Sequence, residues 1–474
     1  MKKIYIIALF LFIGSAFMSS CKKELNQQPD GALLDETAIT DFQTLQAATI
    51  GCYNSIIDLN WYGRNYPTML ELRGSNMFIA SANSNRLTAP YQYNFTVANA
   101  DVASTWNTLY KAIARTNNVI NKSAIVTDGT PEEKAQLIAE AKFVRALAYF
   151  DLTRVFGQPY TVNSGASLSV PIVLTPGITQ PKRNTVAEVY AQVIKDLTEA
   201  KPNLPTDIVN KFRASRFAAS ALLARVYLYK GDAASNALAI AEATTVINAG
   251  YTMTTASSYA GTIFWANPGQ NEEIFTAKIS QFQDLGSDNY GQLYVSELGG
   301  YGDIRVNPAF RDSYADNDVR KTQVIKKDAT TDDYITTKFY RQDNIPGLYS
   351  PKILRLSEMY FIRAEANVKL NTATGATPAE DLSSVRTMRG LPAYTGTPAL
   401  ADVLTEKNFE FAFEGHQWQD NFRNGIVTVR PQITGALNNN SSSNIAITDN
   451  KQLYPIPQRE VDANPNIKPN NPGY

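Results

Sequence analysis

Few side chains in this sequence could carry out chemistry. There is one histidine, His416. A single imidazole excludes clusters such as HExxH and leaves at most one group for histidine acid–base work. His416 follows Gly415 near an aromatic-rich helical stretch and reads as a packed, hydrogen-bonded side chain rather than a catalytic one. Cys52 lies in the apolar helical run Ala47–Tyr53 with no basic neighbour in sequence to activate its thiol. It reads as a small buried hydrophobe, with a reactive thiol as the alternative. Asp316-Asn317-Asp318 offers oxygen ligands of the kind calcium takes, but it lacks the glycine and closing glutamate of an EF-hand loop. A turn or helix cap is the better reading. No P-loop string occurs, and no GxGxxG follows a strand-like run. The sequence predicts no catalytic residue, no cofactor and no metal site.

Cys21 is the other cysteine. Lys2 and Lys3 precede an apolar run, Ile4–Phe17, that is shorter than the ~20 residues of a membrane span. Small residues then lead into the cysteine, Met18-Ser19-Ser20-Cys21, where a signal peptidase cuts. The string resembles the lipobox of bacterial lipoproteins. That resemblance makes residues 1–20 a lipoprotein signal peptide, Cys21 the lipidation site, carrying diacylglyceryl and palmitate-type chains, and residues 21–40 a lipidated tether. An ordinary secretory signal is the competing reading. A single acyl chain anchors only marginally, so a diacylglyceryl cysteine suits stable attachment. If Cys21 carries lipid, Cys52 has no disulfide partner.

Composition bounds the rest. The chain has 474 residues, with 44 basic and 44 acidic side chains. This balance gives no electrostatic case for nucleic acid or for a polybasic membrane patch. With 19% charged and 44% hydrophobic residues, the chain is a folded globule rather than a disordered one.

The elements follow from periodicity. Asp41–Leu59 reads as helix; residues 60–100, rich in Tyr, Asn and Ser and broken by Gly and Pro, read as irregular, surface-exposed chain. Trp106, Leu109, Tyr110, Ile113 and Asn117 share a helical face. A longer helix follows Pro131, with Glu132 and Glu133 in its first turn and a buried stripe from Leu137 to Val155. Thr185 and Glu188 have capping-box spacing before another helix. Phe217–Lys230 and Ala237–Asn248, joined through Gly231-Asp232, resemble a tetratricopeptide helix pair, and Leu354–Leu370 looks like the first helix of another. Residues 251–350 form a second irregular region, with short strands around Ile274–Ile279 and Tyr334–Tyr340. Arg145, Arg225 and Arg363 stand within apolar helices and read as buried members of ion pairs, with acids such as Asp151 and Glu365 nearby. Trp106 and Trp418 lie on helical faces and read as core.

Seven strings, in order, resemble the SusD/RagB family of outer-membrane nutrient-binding lipoproteins. They are residues 139–160 (AEAKFVRALAYFDLTRVFGQPY), 189–205, 212–232, 307–321, 350–367 with 382–392, 409–420 (FEFAFEGHQWQD), and 453–474. Lys407 and His416 stand where the family often has arginine, and Asn421 departs from a D-L-x-R run. The resemblance implies a mainly α fold, a tetratricopeptide-like helix-pair scaffold with long irregular insertions and a few short strands. It divides the mature chain into an N-terminal helical region, 41–250, and a C-terminal region, 251–474, packed as one unit. It further implies a non-enzymatic, surface-exposed lipoprotein of the outer membrane. Such a protein binds a glycan and delivers it to a SusC-like TonB-dependent transporter. A peptide ligand in the same role, a surface glycoside hydrolase and a protein-only helical adaptor are the alternatives.

Sugar recognition uses flat faces with polar edges, which Tyr and Trp supply, and fixed hydrogen-bonding groups such as Asn and Arg. In the family the ligand face is built from loops in the places of the two irregular regions here. The first offers Trp61, Tyr62, Arg64, Tyr66, Arg73, Asn76, Tyr91 and Tyr93; the second offers Trp265, Asn289, Tyr290, Tyr294 and Tyr301. Trp61 and Trp265 are the leading platform candidates.

Overall fold

The structure is a computed structural model. It describes residues 38–297, 299–430, 432–437 and 444–474. The signal peptide, Cys21 and nearly all of the tether lie outside the described residues.

The fold is mainly α. Its scaffold is a run of helices in which each packs on the next: α1 (Phe42–Ile56), α3 (Ala100–Lys122), α4 (Pro131–Phe156), α5 (Val186–Ala200), α6 (Arg216–Lys230), α7 (Ala233–Ile247), α8 (Leu356–Leu370) and α9 (Pro378–Met388). The short α2 (Asn65–Glu71), α10 (Leu400–Phe411) and α11 (Gln417–Arg423) complete it. Local chemistry sets the helix starts. Capping boxes open α1 at Asp41, α4 at Thr130 and α5 at Thr185, where each cap side chain and the residue three positions on satisfy one another's backbone N–H groups. Gly231, at φ 78°, ends α6, and the Asp232 carboxylate accepts the Ser235 N–H to begin α7. That cap starts α7 four residues before the predicted Ala237.

α4 is buried on nearly every face, as a central helix must be. Its charges are paired across the scaffold. Arg145 meets Asp196 of α5 at 2.6 Å, and Glu140 meets Arg213 at 2.7 Å. Arg225 of α6 binds Glu358 of α8, and Arg363 binds Asp381 of α9, both at 2.6 Å. The expected ion pairs are present, but the acids nearby in sequence serve other partners. Asp151 takes Arg154, and Glu365 takes Arg423. A further buried network joins Arg389 and Arg355 to Glu410.

Four short antiparallel strands form a sheet in the order β1 (Met77–Ile79), β3 (Ile304–Val306), β5 (Tyr334–Thr336), β4 (Ile325–Lys327). β2 (Glu273–Thr276) pairs with β6 (Lys352–Arg355), and β7 (Thr428–Val429) with β8 (Asn444–Ile445). The strands expected near Ile274 and Tyr334 exist, in two different sheets. One continuous hydrophobic core runs from Ile39 to Ile467 and includes Trp106 and Trp418; a second, small cluster lies around Phe361 and Val385. Cys52 is fully buried in the first, and desolvation pushes its thiol up to about 12, which makes it inert. Asp318 caps a short helix and pairs with Arg320, so the Asp316–Asp318 string is a turn and cap.

Residues 451–474 lace back onto α4. Tyr454 N–H donates to the Val155 carbonyl at 2.9 Å, and Asn471 Nδ2 donates to the Phe156 carbonyl at 2.9 Å. Among the described residues no helix is long and apolar enough to cross a membrane.

Candidate functional site

The first irregular region is built inward. After α1, the Asp58 carboxylate accepts the Asn60 N–H at 2.9 Å and the chain winds one π-type turn, Leu59–Gly63. Gly63 is required there: a Cβ would lie 2.5 Å from the Ile57 carbonyl oxygen. Inside the turn Trp61 leaves helical geometry, at φ −111° and ψ −126°. Its indole is fully buried, and Nε1 donates to Asp151 at 2.6 Å. The Tyr62 hydroxyl donates to the same carboxylate at 3.4 Å, and the Tyr66 hydroxyl to the Asp151 carbonyl at 3.0 Å. Asp151 is thus the hub that draws this aromatic turn onto α4.

The second irregular region crosses over it. Arg64 donates to Asp288 at 2.8 Å. Asn289 accepts the Leu285 N–H at 3.0 Å and donates to Asp284 at 2.6 Å and to the Pro346 carbonyl at 3.1 Å. Between the two regions lies a surface cleft of about 390 Å³. Asp58, Gln283, Asp288 and Asn289 line it with polar groups; Ile57, Leu59 and Leu348 line it with apolar ones. This mixture of apolar walls with a few placed polar groups is what small-ligand sites use. Phe282, next to Gln283, is 90% exposed.

Tyr290 and Tyr349 form the floor of the cleft, packed around Phe339 with ring centroids 4.5 and 4.8 Å away. Beneath them is a second pocket, about 40 Å³, lined also by Tyr62, Tyr66, Arg154, Arg225, Lys352, Glu414 and His416. Burial pushes the phenols of Tyr62, Tyr66, Tyr290 and Tyr349 up and the His416 imidazole down. His416 stacks on Phe411 at 4.5 Å, and is neutral at physiological pH.

A third feature lies on the surface where β1 and β3 are flanked by loops. Tyr301 is half-buried; the Arg86 guanidinium sits 3.8 Å over its ring and donates to its hydroxyl at 2.8 Å. Asp303 holds the adjoining Ser84, whose N–H is 3.1 Å from the carboxylate. Arg86 and its neighbours Asn83, Ser84 and Asn85 were outside the predicted set. The polar turn-forming run Asn83-Ser84-Asn85 was the available signal.

The structure therefore sorts the predicted residues. Asn289 and Tyr290 line the cleft, and Arg64 braces its edge through Asp288. Tyr62 and Tyr66 line the inner pocket. Tyr301 stands apart with Arg86, and Trp265, half-buried, donates Nε1 to the Thr337 carbonyl at 2.7 Å. The others correct the expectation of an exposed platform, because each is buried. Trp61 is held by Asp151. Arg73 stacks on Trp418 at 3.6 Å and donates to the carbonyls of Lys451 and Gln452. The Tyr93 hydroxyl donates to the Arg73 carbonyl at 2.6 Å. Asn76 donates to Glu71 at 3.1 Å, Tyr91 packs 4.7 Å under Arg430, and the Tyr294 hydroxyl donates to Thr68 at 3.0 Å. An indole with no accessible face cannot stack on a sugar.

Comparison with known proteins places these features in a family. Residues 24–228 match a family described as starch-binding, associating with the outer membrane, and residues 347–474 match the SusD family. A solved Bacteroides vulgatus structure, provisionally assigned to sugar binding, is 30% identical. It superimposes with a TM-score of 0.82 over 92% of this chain and all of its own. A SusD superfamily structure from Bacteroides thetaiotaomicron is 28% identical, with a TM-score of 0.81 over 91% of this chain and 100% of its own. Among curated proteins, SusD-like protein P2 of Formosa agariphila is 27% identical over 99% of both chains. With family matches over residues 24–228 and 347–474 and a shared fold over 92% of its length with a 30% identical structure, this chain belongs to the SusD/RagB family.

Proposed function

We propose that this protein is a lipoprotein of the outer membrane, anchored at Cys21 and facing the cell exterior, that binds a glycan without cleaving it. It passes the glycan to a partner TonB-dependent transporter of the SusC type. The observation that carries this reading is the match of residues 24–228 to a family described as starch-binding and associated with the outer membrane. The sugar-binding assignment of the 30% identical Bacteroides vulgatus protein supports it. So does the cleft of about 390 Å³, within the ~300–1,000 Å³ of small-ligand pockets. Residues 41–250 and 251–474 act as one unit in this reading, since the cleft draws on both.

Asp288 and Gln283 supply hydrogen bonds for sugar hydroxyls, Asn289 holds their loop, and Ile57, Leu59 and Leu348 offer apolar walls. Tyr301 with Arg86 forms a second contact area for a longer chain. Calorimetric titration of the mature protein against a panel of purified oligosaccharides tests the function. Binding with no new reducing ends is expected. New reducing ends would make it a hydrolase, and silence across a broad panel, with peptides bound instead, would sink the glycan assignment. Protease shaving of intact cells tests the orientation.

A further inference from the structure

The small pocket beneath Tyr290 and Tyr349 contains a charge that the scaffold does not neutralise by contact. Lys352, on β6, is only 6% exposed, and its Nζ has no hydrogen-bond acceptor in the protein. The Tyr349 ring centroid lies 4.5 Å from Nζ. The surrounding carboxylates are committed elsewhere. Glu414 is held by Lys338 at 2.8 Å and Arg355 at 2.9 Å. Glu273, on the paired strand, accepts the N–H groups of Gly269 and Gln270 and the Thr276 hydroxyl. Glu358 is occupied by Arg225, and Asp151 by Arg154 and Trp61. Arg154 itself also keeps an unpaired donor, its buried Nε.

A buried ammonium out of contact with any carboxylate is costly, and an unpaired buried donor adds to that. The pocket has about 40 Å³ of room, against ~10–15 Å³ for each water held. One halide-sized anion with a water fits; a sugar does not. We infer that this pocket is a binding site for a small monovalent anion of the halide class, held by Lys352 Nζ and Arg154 Nε. An anion there would stabilise the floor of the cleft from below, because Tyr290 and Tyr349 belong to both cavities.

Thermal unfolding of the mature protein in sodium chloride or sodium bromide, with ionic strength held constant by sodium gluconate, tests this. The expected result is a saturable rise of ~2–4 °C with halide that gluconate does not reproduce. In Lys352→Met, which keeps the length of the side chain and removes its charge, the halide dependence should vanish. Crystals of the unaltered protein grown in bromide should show an anomalous peak inside the pocket, a readout that survives even if the variant fails to fold. Indistinguishable melting in halide and gluconate, or a bromide map with no peak between Lys352 and Arg154, would overturn the proposal and make the pocket a hydrated one. Neither result bears on glycan binding.

Discussion

The two irregular regions have the same composition and opposite fates. Between residues 57 and 95, aromatic and polar side chains turn inward and find partners: Trp61, Tyr62 and Tyr66 on Asp151 and its carbonyl, Asn76 on Glu71, Arg73 on backbone carbonyls. Between 259 and 301 the same residue types are divided. Tyr294 is buried against Thr68, Tyr290 is buried beneath the cleft, and Trp265 and Tyr301 keep part of their surface. What decides is the neighbour. The first region lies against α4, a buried helix that carries an acid with unfilled hydrogen-bonding capacity at Asp151. Polar aromatics satisfy such a group and are consumed by it. The second region lies over the first, and its outer side has nothing left to pack against.

Four substitutions test this contrast, ordered by expected effect. Trp61→Ala should cost ~3–5 kcal/mol in urea unfolding, since it opens a cavity and strips Asp151 of a donor. A folded Trp61→Ala protein with intact stability and lost glycan binding would erase the contrast. Asn289→Ala should fall between the two classes. Losing the bonds to Asp284 and Pro346 costs ~1–3 kcal/mol, and titration should also show weaker ligand binding. Trp265→Ala should cost ~1–2 kcal/mol, because a half-buried ring gives up less apolar area than Trp61 does. Tyr301→Ala should leave the melting midpoint within the small range of surface changes, about 0.5 kcal/mol. It should nonetheless weaken binding of a long oligosaccharide by roughly tenfold, as loss of an aromatic anchor does. Undiminished affinity of that variant for the long ligand would remove the second contact area.

The scaffold was legible in the sequence because its signals are local. The start at Pro131 with Glu132 and Glu133 in the first turn, the Thr185–Glu188 box and the Gly231-Asp232 turn are read within four residues, and all three hold. Helix α2 was missed for the opposite reason. It is buried on every side, so Asn65-Tyr66-Pro67-Thr68-Met69-Leu70-Glu71 shows no amphipathic period, and its proline sits in the first turn where it is tolerated. Ion pairing was legible in kind for Arg145, Arg225 and Arg363, but the partners lie 51, 133 and 18 residues away, beyond any pattern of neighbouring charges. The site was least legible. Whether Tyr290 or Tyr294 borders the cleft depends on what packs beside it, and that is set by Pro346–Tyr349, a segment more than fifty residues further along.

The lacing of residues 451–474 onto α4 has a temporal consequence. The Asn471 amide closes on the Phe156 carbonyl across 315 residues of sequence, and Arg73 reaches Gln452 across 379. Contacts of such long separation form late, since loop closure must precede any return from them. The C-terminal turn of α4 and the Arg73 cage would stay unsealed through most of synthesis and close as the final docking event. Until then the chain presents an incomplete core, open at the end of its central helix.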